Sequence, residues 1–123
     1  MSIVGIGIDV VDVPRFETVM GRRPRIVGRL FTEGEQRNAR MKPERLAARF
    51  AAKEAVSKCF TTGIGAEFGW KSASVYHGSR HEPLVRLDEQ GQALLAHVGA
   101  THVLLTLSHT ESYAMAVAAL VRA

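Results

Sequence analysis

At 123 residues, 46% of them hydrophobic, with one cysteine, the chain suits a single compact domain, excludes an internal disulfide and offers no cysteine pair for a metal. No apolar run approaches the ~20 residues of a membrane span, and the N-terminal apolar stretch lacks a basic leader, so a soluble, unexported, cytoplasmic protein is expected. The formal charge of +4 is regional, since residues 15–58 hold twelve Lys or Arg against five acids and the remainder four against seven. Such a block steers an anionic partner, whether nucleic acid, acidic protein or phosphorylated small molecule, unless it is only a solvated surface.

In chain order, residues 3–11 alternate with period two. Ile3, Gly5, Gly7, Asp9 and Val11 share one face of a strand, and Val4, Ile6, Ile8 and Val10 share the other. Glycine inside a strand marks close approach by another backbone or a ligand, so the face ending in Asp9 is expected to have space above it. Pro14 suits the first turn of a helix carrying Arg15, Phe16, Val19 and Met20, interrupted by Gly21 and the Arg23-Pro24 pair. Thr32 and Glu35 have capping-box spacing for another short helix. Pro43 and Gly63 bracket the longest helix, residues 43–60, on which Leu46, Phe50, Glu54 and Lys58 step by fours along a stripe that the neighbouring Ala51 and Ala55 turn inward. Residues 70–77 and 84–88 read as a strand pair, residues 89–98 as a short helix, and residues 102–108 and 113–121 as two closing strands. The pattern predicts an α+β fold, a small mainly antiparallel sheet packed on one long helix.

Two acids stand out chemically. Glu54 and Lys58 have the spacing of an ordinary helix ion pair. An inward stripe would make that carboxylate costly unless it is paired or bound to a cation, and Asp9 supplies a second acid on another rigid element. Carboxylate ligands without a cysteine and histidine cluster suit magnesium or manganese, and magnesium commonly completes its shell with water and phosphate oxygens, so a diphosphate substrate is expected. Asp12 reads as the cap of the following helix. Gly63 and Gly65 suit either a phosphate cradle or a plain helix C-cap and turn. Ser108, His109 and Thr110 could grip a phosphate or form only a polar turn, and His77, His81, His97 and His102 share no ligand spacing with His109.

These residues form an ordered set: Gly5-Ile6-Gly7-Ile8-Asp9 with Arg15-Phe16, Arg49-Phe50-Ala51-Ala52-Lys53-Glu54-Ala55 with Lys58, Thr62-Gly63-Ile64-Gly65, and Ser108-His109-Thr110. The set resembles the holo-[acyl-carrier-protein] synthases, the short class of 4'-phosphopantetheinyl transferases, along nearly the whole chain. The resemblance implies transfer of 4'-phosphopantetheine from coenzyme A to a serine of acyl carrier protein, in fatty-acid or polyketide synthesis, with release of adenosine 3',5'-bisphosphate. It implies magnesium held by Asp9 and Glu54, with Lys58 balancing diphosphate charge. His109 and Thr110 match positions near the adenosine 3'-phosphate, Gly63, Gly65 and Pro83 match enclosing loops, and Arg49 matches a further phosphate contact. Arg15, Arg22 and Arg25 match a basic face that binds the acidic carrier protein. A homotrimer with its clefts between subunits is implied as well.

Two positions depart from the family's pattern. Its usual Asn-Gly-Lys-Pro type turn is Arg80-His81-Glu82-Pro83, and Thr61 stands where a glycine is frequent. The proton acceptor for the serine stays open between a bound water and a carboxylate such as Glu54. A small basic nucleic-acid-binding module would also explain the arginines but lacks an interleaved aromatic platform. A magnesium phosphohydrolase would keep the two acids and need no carrier protein.

Overall fold

A computed structural model describes residues 1–123. Strand β1 (Ser2–Asp12) leads into helix α1 (Val13–Arg22), α2 (Ile26–Leu30), α3 (Glu33–Ala39) and the long α4 (Pro43–Cys59). The hairpin β2 (Ala73–His77) and β3 (Pro83–Leu87) follows, then α5 (Glu89–His97), β4 (His102–His109) and β5 (Tyr113–Arg122). All strand pairing is antiparallel, in a three-stranded sheet of order β1-β5-β4 and a separate β2-β3 pair. The α+β expectation therefore holds, with two small sheets rather than one. The five-residue α2 carries no sequence signal strong enough to announce it.

Local chemistry sets the element ends. Asp12 caps α1, its Oδ1 accepting from Arg15 N at 2.9 Å. The capping box of α3 is complete: Thr32 Oγ1 accepts from Glu35 N at 3.2 Å, and Glu35 Oε1 accepts from Thr32 N at 3.0 Å. Pro43 opens α4, where its missing N–H costs nothing.

The inner face of the larger sheet is a trough of small residues. Gly5 and Gly7 on β1 lie beside Leu120 and Ala118 on β5, and Ala114 and Ala116 extend the row. Helix α4 fills that trough so closely that a Cβ on Gly7 would overlap the Ala55 carbonyl oxygen, and one on Gly5 the Cys59 carbonyl oxygen. The bare face of β1 is thus occupied by helix backbone, not open as the glycines alone suggest. Ala51, Ala52 and Ala55 are sealed in the core. Of the stripe expected to face inward, Leu46 is buried as expected, but Phe50 and Glu54 are half-buried and Lys58 is exposed, so the stripe runs from the core out to the helix's wetter edge. An alanine-rich helix has no bulky stripe to mark which side is inside.

The opposite sheet face is uncovered. Ile6, Ile8 and Val10 on β1, Met115 and Val117 on β5, and Leu104 on β4 are all exposed there. No helix is long and apolar enough to cross a membrane. Cys59 is buried and its thiol is pushed up to about 11 by that burial, which leaves it inert near neutral pH.

Candidate active site

Close packing of β1 on α4 brings three predicted residues together. Asp9 follows Gly7 on the inner face of β1, opposite Ala116, and Glu54 precedes Ala55 on the helix. Both acids line a cleft of about 790 Å³ with Asp12, Arg15, Phe50 and Trp70. Lys58 reaches across from α4, its Nζ donating to Asp9 Oδ1 at 3.0 Å and to the Ile8 carbonyl at 2.8 Å. The ion pair expected between Glu54 and Lys58 therefore gives way to one between Lys58 and Asp9. Glu54's carboxylate makes no hydrogen bond or ion pair with the chain. Burial first, and the charge of Asp9 second, push its carboxyl above the usual range, against the pull of Lys58.

A half-buried carboxylate facing a second one, both open to a cleft, suits a divalent cation. No group of three or more His, Cys, Asp or Glu side chains able to hold a metal forms anywhere in the chain. Two carboxylates leave the remaining positions to water and substrate oxygens, the coordination habit of magnesium.

A second cleft, of about 640 Å³, has the opposite character. Arg40, Arg45, Arg49, His77, His81 and His109 line it, Pro83 and Asn38 border it, and it holds no carboxylate. Arg49 is only 4% exposed. Its Nη1 donates to the Arg45 carbonyl at 3.2 Å, while its buried Nε has no partner. A buried guanidinium with an idle donor beside an acid-free cavity is prepared for an anion. Burial pushes Arg49's pKa down, and the Glu35 carboxylate opposes that shift. Burial also leads in lowering His77, followed by the charges of Arg49, His81 and Arg45, with Glu82 opposing.

Other predicted residues lie apart from the cationic cleft, and of them only Arg15 lines the Asp9 cleft. Thr110 is used by the β4–β5 turn, its Oγ1 accepting from Ser112 N at 3.1 Å and Tyr113 N at 3.0 Å, so only its hydroxyl proton remains to donate. Gly63 takes a left-handed φ of 64° after α4, and Gly65 borders a third cleft of about 580 Å³ with Thr61, Thr62 and His97. Thr61 itself is left-handed at φ 63°, the backbone for which glycine is better suited. Arg15, Arg22 and Arg25 are exposed on α1 and the start of α2. Trp70 stacks on Phe50 with centroids 5.0 Å apart, and Phe68 is fully buried.

Sequence reasoning missed Arg40, Arg45, His77 and His81. The arginines lay within the recognised basic block, but the histidines meet His109 only because the β2–β3 turn folds against the end of β4. It also missed the role of Lys53, which counted there only as one charge of the basic block and one residue of the recognised motif. Lys53 is completely buried, and its Nζ donates to Glu35 Oε1 at 2.7 Å, Trp70 O at 2.8 Å and Ala73 O at 2.7 Å.

Comparison with known proteins gives this geometry a context. The profile of the 4'-phosphopantetheinyl transferase superfamily matches residues 5–118. The holo-[acyl-carrier-protein] synthase of Frankia casuarinae is 44% identical over 116 residues, covering 94% of this chain and 95% of that one. The synthase of Caldanaerobacter subterraneus is 37% identical over 116 residues, covering 92% and 91%. Among solved structures, Helicobacter pylori holo-[acyl-carrier-protein] synthase in complex with coenzyme A superposes with a TM-score of 0.86 at 27% identity, over 94% of this chain and 98% of that one. The Bacillus anthracis enzyme in complex with coenzyme A (3',5'-ADP) gives 0.81 at 32% identity, over 98% of each chain. The chain belongs to the 4'-phosphopantetheinyl transferase superfamily, among its holo-[acyl-carrier-protein] synthases.

Proposed function

We propose that this protein, as one cytoplasmic domain assembled into a homotrimer, transfers 4'-phosphopantetheine from coenzyme A to a serine of apo acyl carrier protein, with magnesium held by Asp9 and Glu54. The serine oxygen gives its proton to a bound water or a carboxylate and forms a bond to the pantetheine-bearing phosphorus, the P–O–P bond breaks, and adenosine 3',5'-bisphosphate departs. The observation that carries this reading is the unpartnered, half-buried Glu54 carboxylate facing Asp9 across a cleft. When bound, the cation would neutralise charge on the diphosphate as the bond to the leaving phosphate breaks. Manganese has the same preference for oxygen ligands.

The chain's own groups divide the remaining work. Lys58, exposed yet tied to Asp9, brings a positive charge to the rim where a diphosphate would lie. The acid-free cleft of Arg49 and His109 suits the nucleotide's 3'-phosphate, with Pro83 at its edge. The metal acids and this cationic cleft share no lining residue. That separation supports a site completed by a neighbouring subunit, as does the uncovered apolar sheet face. Arg15, Arg22 and Arg25 offer the acidic carrier protein a basic approach beside the Asp9 cleft.

The test is mass spectrometry of apo acyl carrier protein incubated with enzyme, coenzyme A and magnesium. A mass gain of one phosphopantetheine, absent with chelator and with Asp9→Ala or Glu54→Ala, is expected. Modification that persists at the normal rate in either variant removes the metal assignment.

A further inference from the structure

Residues 60–72, between α4 and β2, contain no helix or strand, yet both ends of this segment stand near the cleft of Asp9 and Glu54. It leaves α4 just past Lys58, whose carbonyl accepts from Thr61 N at 3.0 Å, and it returns through Trp70, which lines that cleft. Its far end is well held. Lys53 Nζ donates to Trp70 O at 2.8 Å, and Phe68 is sealed in the core against Phe60, ring centroids 5.4 Å apart. The middle is different, because Gly65, Ala66 and Glu67 are all exposed. A stretch with so little buried surface opens at small cost unless something fastens it. One side chain from another element does so. Gln90, in the first turn of α5, donates from Nε2 to the Ala66 carbonyl at 2.7 Å and accepts at Oε1 from Ser72 Oγ at 3.2 Å. Ser72 Oγ accepts in turn from Gly69 N at 3.0 Å, so the hydroxyl's single proton is the one given to Gln90, and only an amide, oxygen toward Ser72 and nitrogen toward Ala66, completes the set. Ser72 is buried, and its carbonyl accepts from Asp88 N at 2.9 Å. Helix α5 thus fastens the loop with Gln90 and faces it with Leu94 and His97 across the 580 Å³ cleft.

We propose that Gln90 is a positioning residue for coenzyme A: by holding the Ala66 carbonyl, its amide keeps the segment after Lys58 in the conformation that receives the donor. This rests on the transferase reading above, which puts a diphosphate at the Lys58 rim, where the loop begins. Gln90 itself is exposed and lines none of the clefts described above, so it acts through the loop and not on the donor. A loop fixed beforehand loses no further freedom when the donor arrives, whereas a loosened one must be ordered at the expense of affinity. Loss of the amide therefore weakens binding of coenzyme A and leaves the chemical step alone. Binding of carrier protein, assigned to Arg15, Arg22 and Arg25 in the same reading, does not draw on this loop.

Isothermal titration of coenzyme A into the assembled protein, with magnesium present, reads the effect as a Kd, and steady-state transfer to apo acyl carrier protein reads it as a KM. Gln90→Ala removes both bonds. Gln90→Glu keeps the acceptor for Ser72 and sets a carboxylate oxygen against the Ala66 carbonyl. Each should raise Kd and KM for coenzyme A about three- to tenfold, the size of one hydrogen bond. Turnover at saturating coenzyme A, KM for carrier protein and the melting temperature without coenzyme A should stay near the parent's. Alanine carries no charge, so a rise shared by both variants is not long-range repulsion of the anionic donor. Amide hydrogen exchange at Gly65, whose N donates to the Phe68 carbonyl at 2.9 Å, should quicken in both variants and slow again when coenzyme A is added. A Kd within about twofold of the parent's in both variants overturns the inference. So does a rise in Kd matched by a lower melting temperature and a higher KM for carrier protein, the mark of a residue that only supports the fold. A parent that transfers while its Gln90 variants keep its Kd fails this inference alone, and a parent that binds coenzyme A without transferring fails the proposed function.

Discussion

Lys53 donates to Glu35 Oε1 at 2.7 Å with both side chains sealed from water, and its neighbour in the chain is Glu54. Glu35 spends its other oxygen on Val75 N at 2.9 Å, so one carboxylate ties together the start of α3, the middle of α4 and strand β2. Burial outweighs Glu35's attraction and pushes Lys53's pKa down, which makes the pair a device for position more than a net gain in stability. Lys53→Met leaves Glu35 charged and short of a partner. The expected loss is ~3 kcal/mol or more, or about 10 °C in thermal unfolding. A melting temperature within about 2 °C of the parent would contradict this account.

That pair also marks the limit of what the sequence discloses. The Thr32 and Glu35 capping box is local, closed within one helical turn, and legible. The bonds from Glu35 to Lys53 and Val75 span 18 and 40 residues, and nothing in a local pattern announces them. Gly5 and Gly7 were readable as a place of close approach, but the approaching group, the backbone of α4 at Ala55 and Cys59, follows only from tertiary packing. Asp9 and Glu54 were recognisable because acids are rare on such apolar elements. The face that Glu54 occupies was not, because alanines surround it on α4 and spacing alone does not orient the helix. The histidine cluster needed the β2–β3 turn to meet the end of β4, a contact between segments with no shared periodicity.

Glu54 makes stability depend on pH and, with the proposed ion, on metal. Its folded pKa lies above its ordinary value, through burial and the charge of Asp9. In the window between the two values the folded chain binds more protons than the unfolded one, so stability falls as pH rises through that window and stays lowered above it. A magnesium ion held as proposed would relieve the same repulsion. Thermal unfolding at neutral pH should rise with added magnesium and fall back with chelator. Glu54→Gln should melt higher than the metal-free parent at neutral pH, gain nothing from magnesium, and lose ~100-fold or more of its transfer rate. A magnesium shift retained by Glu54→Gln would detach the ion from this carboxylate.

The glycines of β1 differ sharply from a glycine elsewhere. A methyl group at Gly7 meets the backbone carbonyl of Ala55, whereas one at Gly21 meets nothing within 4 Å. Gly7→Ala must push α4 off the sheet, at about 1–3 kcal/mol for overpacking, and so separates Asp9 from Glu54. It should lower the melting temperature and raise the magnesium concentration needed for half-maximal activity. Gly21→Ala, inside α1, should be neutral or stabilising by up to ~1 kcal/mol. Equal tolerance of the two substitutions would mean the close packing is not what positions the acids.

The basic approach is testable by charge reversal. Arg22→Glu and Arg25→Glu remove exposed charge away from the reacting groups, so each should raise KM for carrier protein about tenfold at low salt while leaving KM for coenzyme A in place. Screening should shrink the effect as ionic strength approaches ~1 M, where the Debye length is about 3 Å. Arg15→Glu, on the cleft shared with Asp9, should depress turnover too. If salt leaves all three effects unchanged, the arginines act through something other than electrostatic attraction.

The uncovered sheet face and the two separated clefts make a linked prediction. Ile8 pairs with Val117, and both are exposed on a face they share with Ile6, Val10, Met115 and Leu104. Val117→Glu places a charge at the centre of that patch without touching the core behind it, so circular dichroism should keep its folded signature while light scattering falls from trimer to monomer. Activity should fall with it, since the acids of one chain would lose the cationic cleft of the next. Coexpression separates shared sites from independent ones. Glu54→Gln chains and Arg49→Ala chains, each defective alone, should regain about a quarter of parental activity when mixed at random, because one interface in four joins an intact Glu54 to an intact Arg49 across subunits. If the mixture is no more active than its components, both groups serve the same chain's site and the assembly has some other purpose.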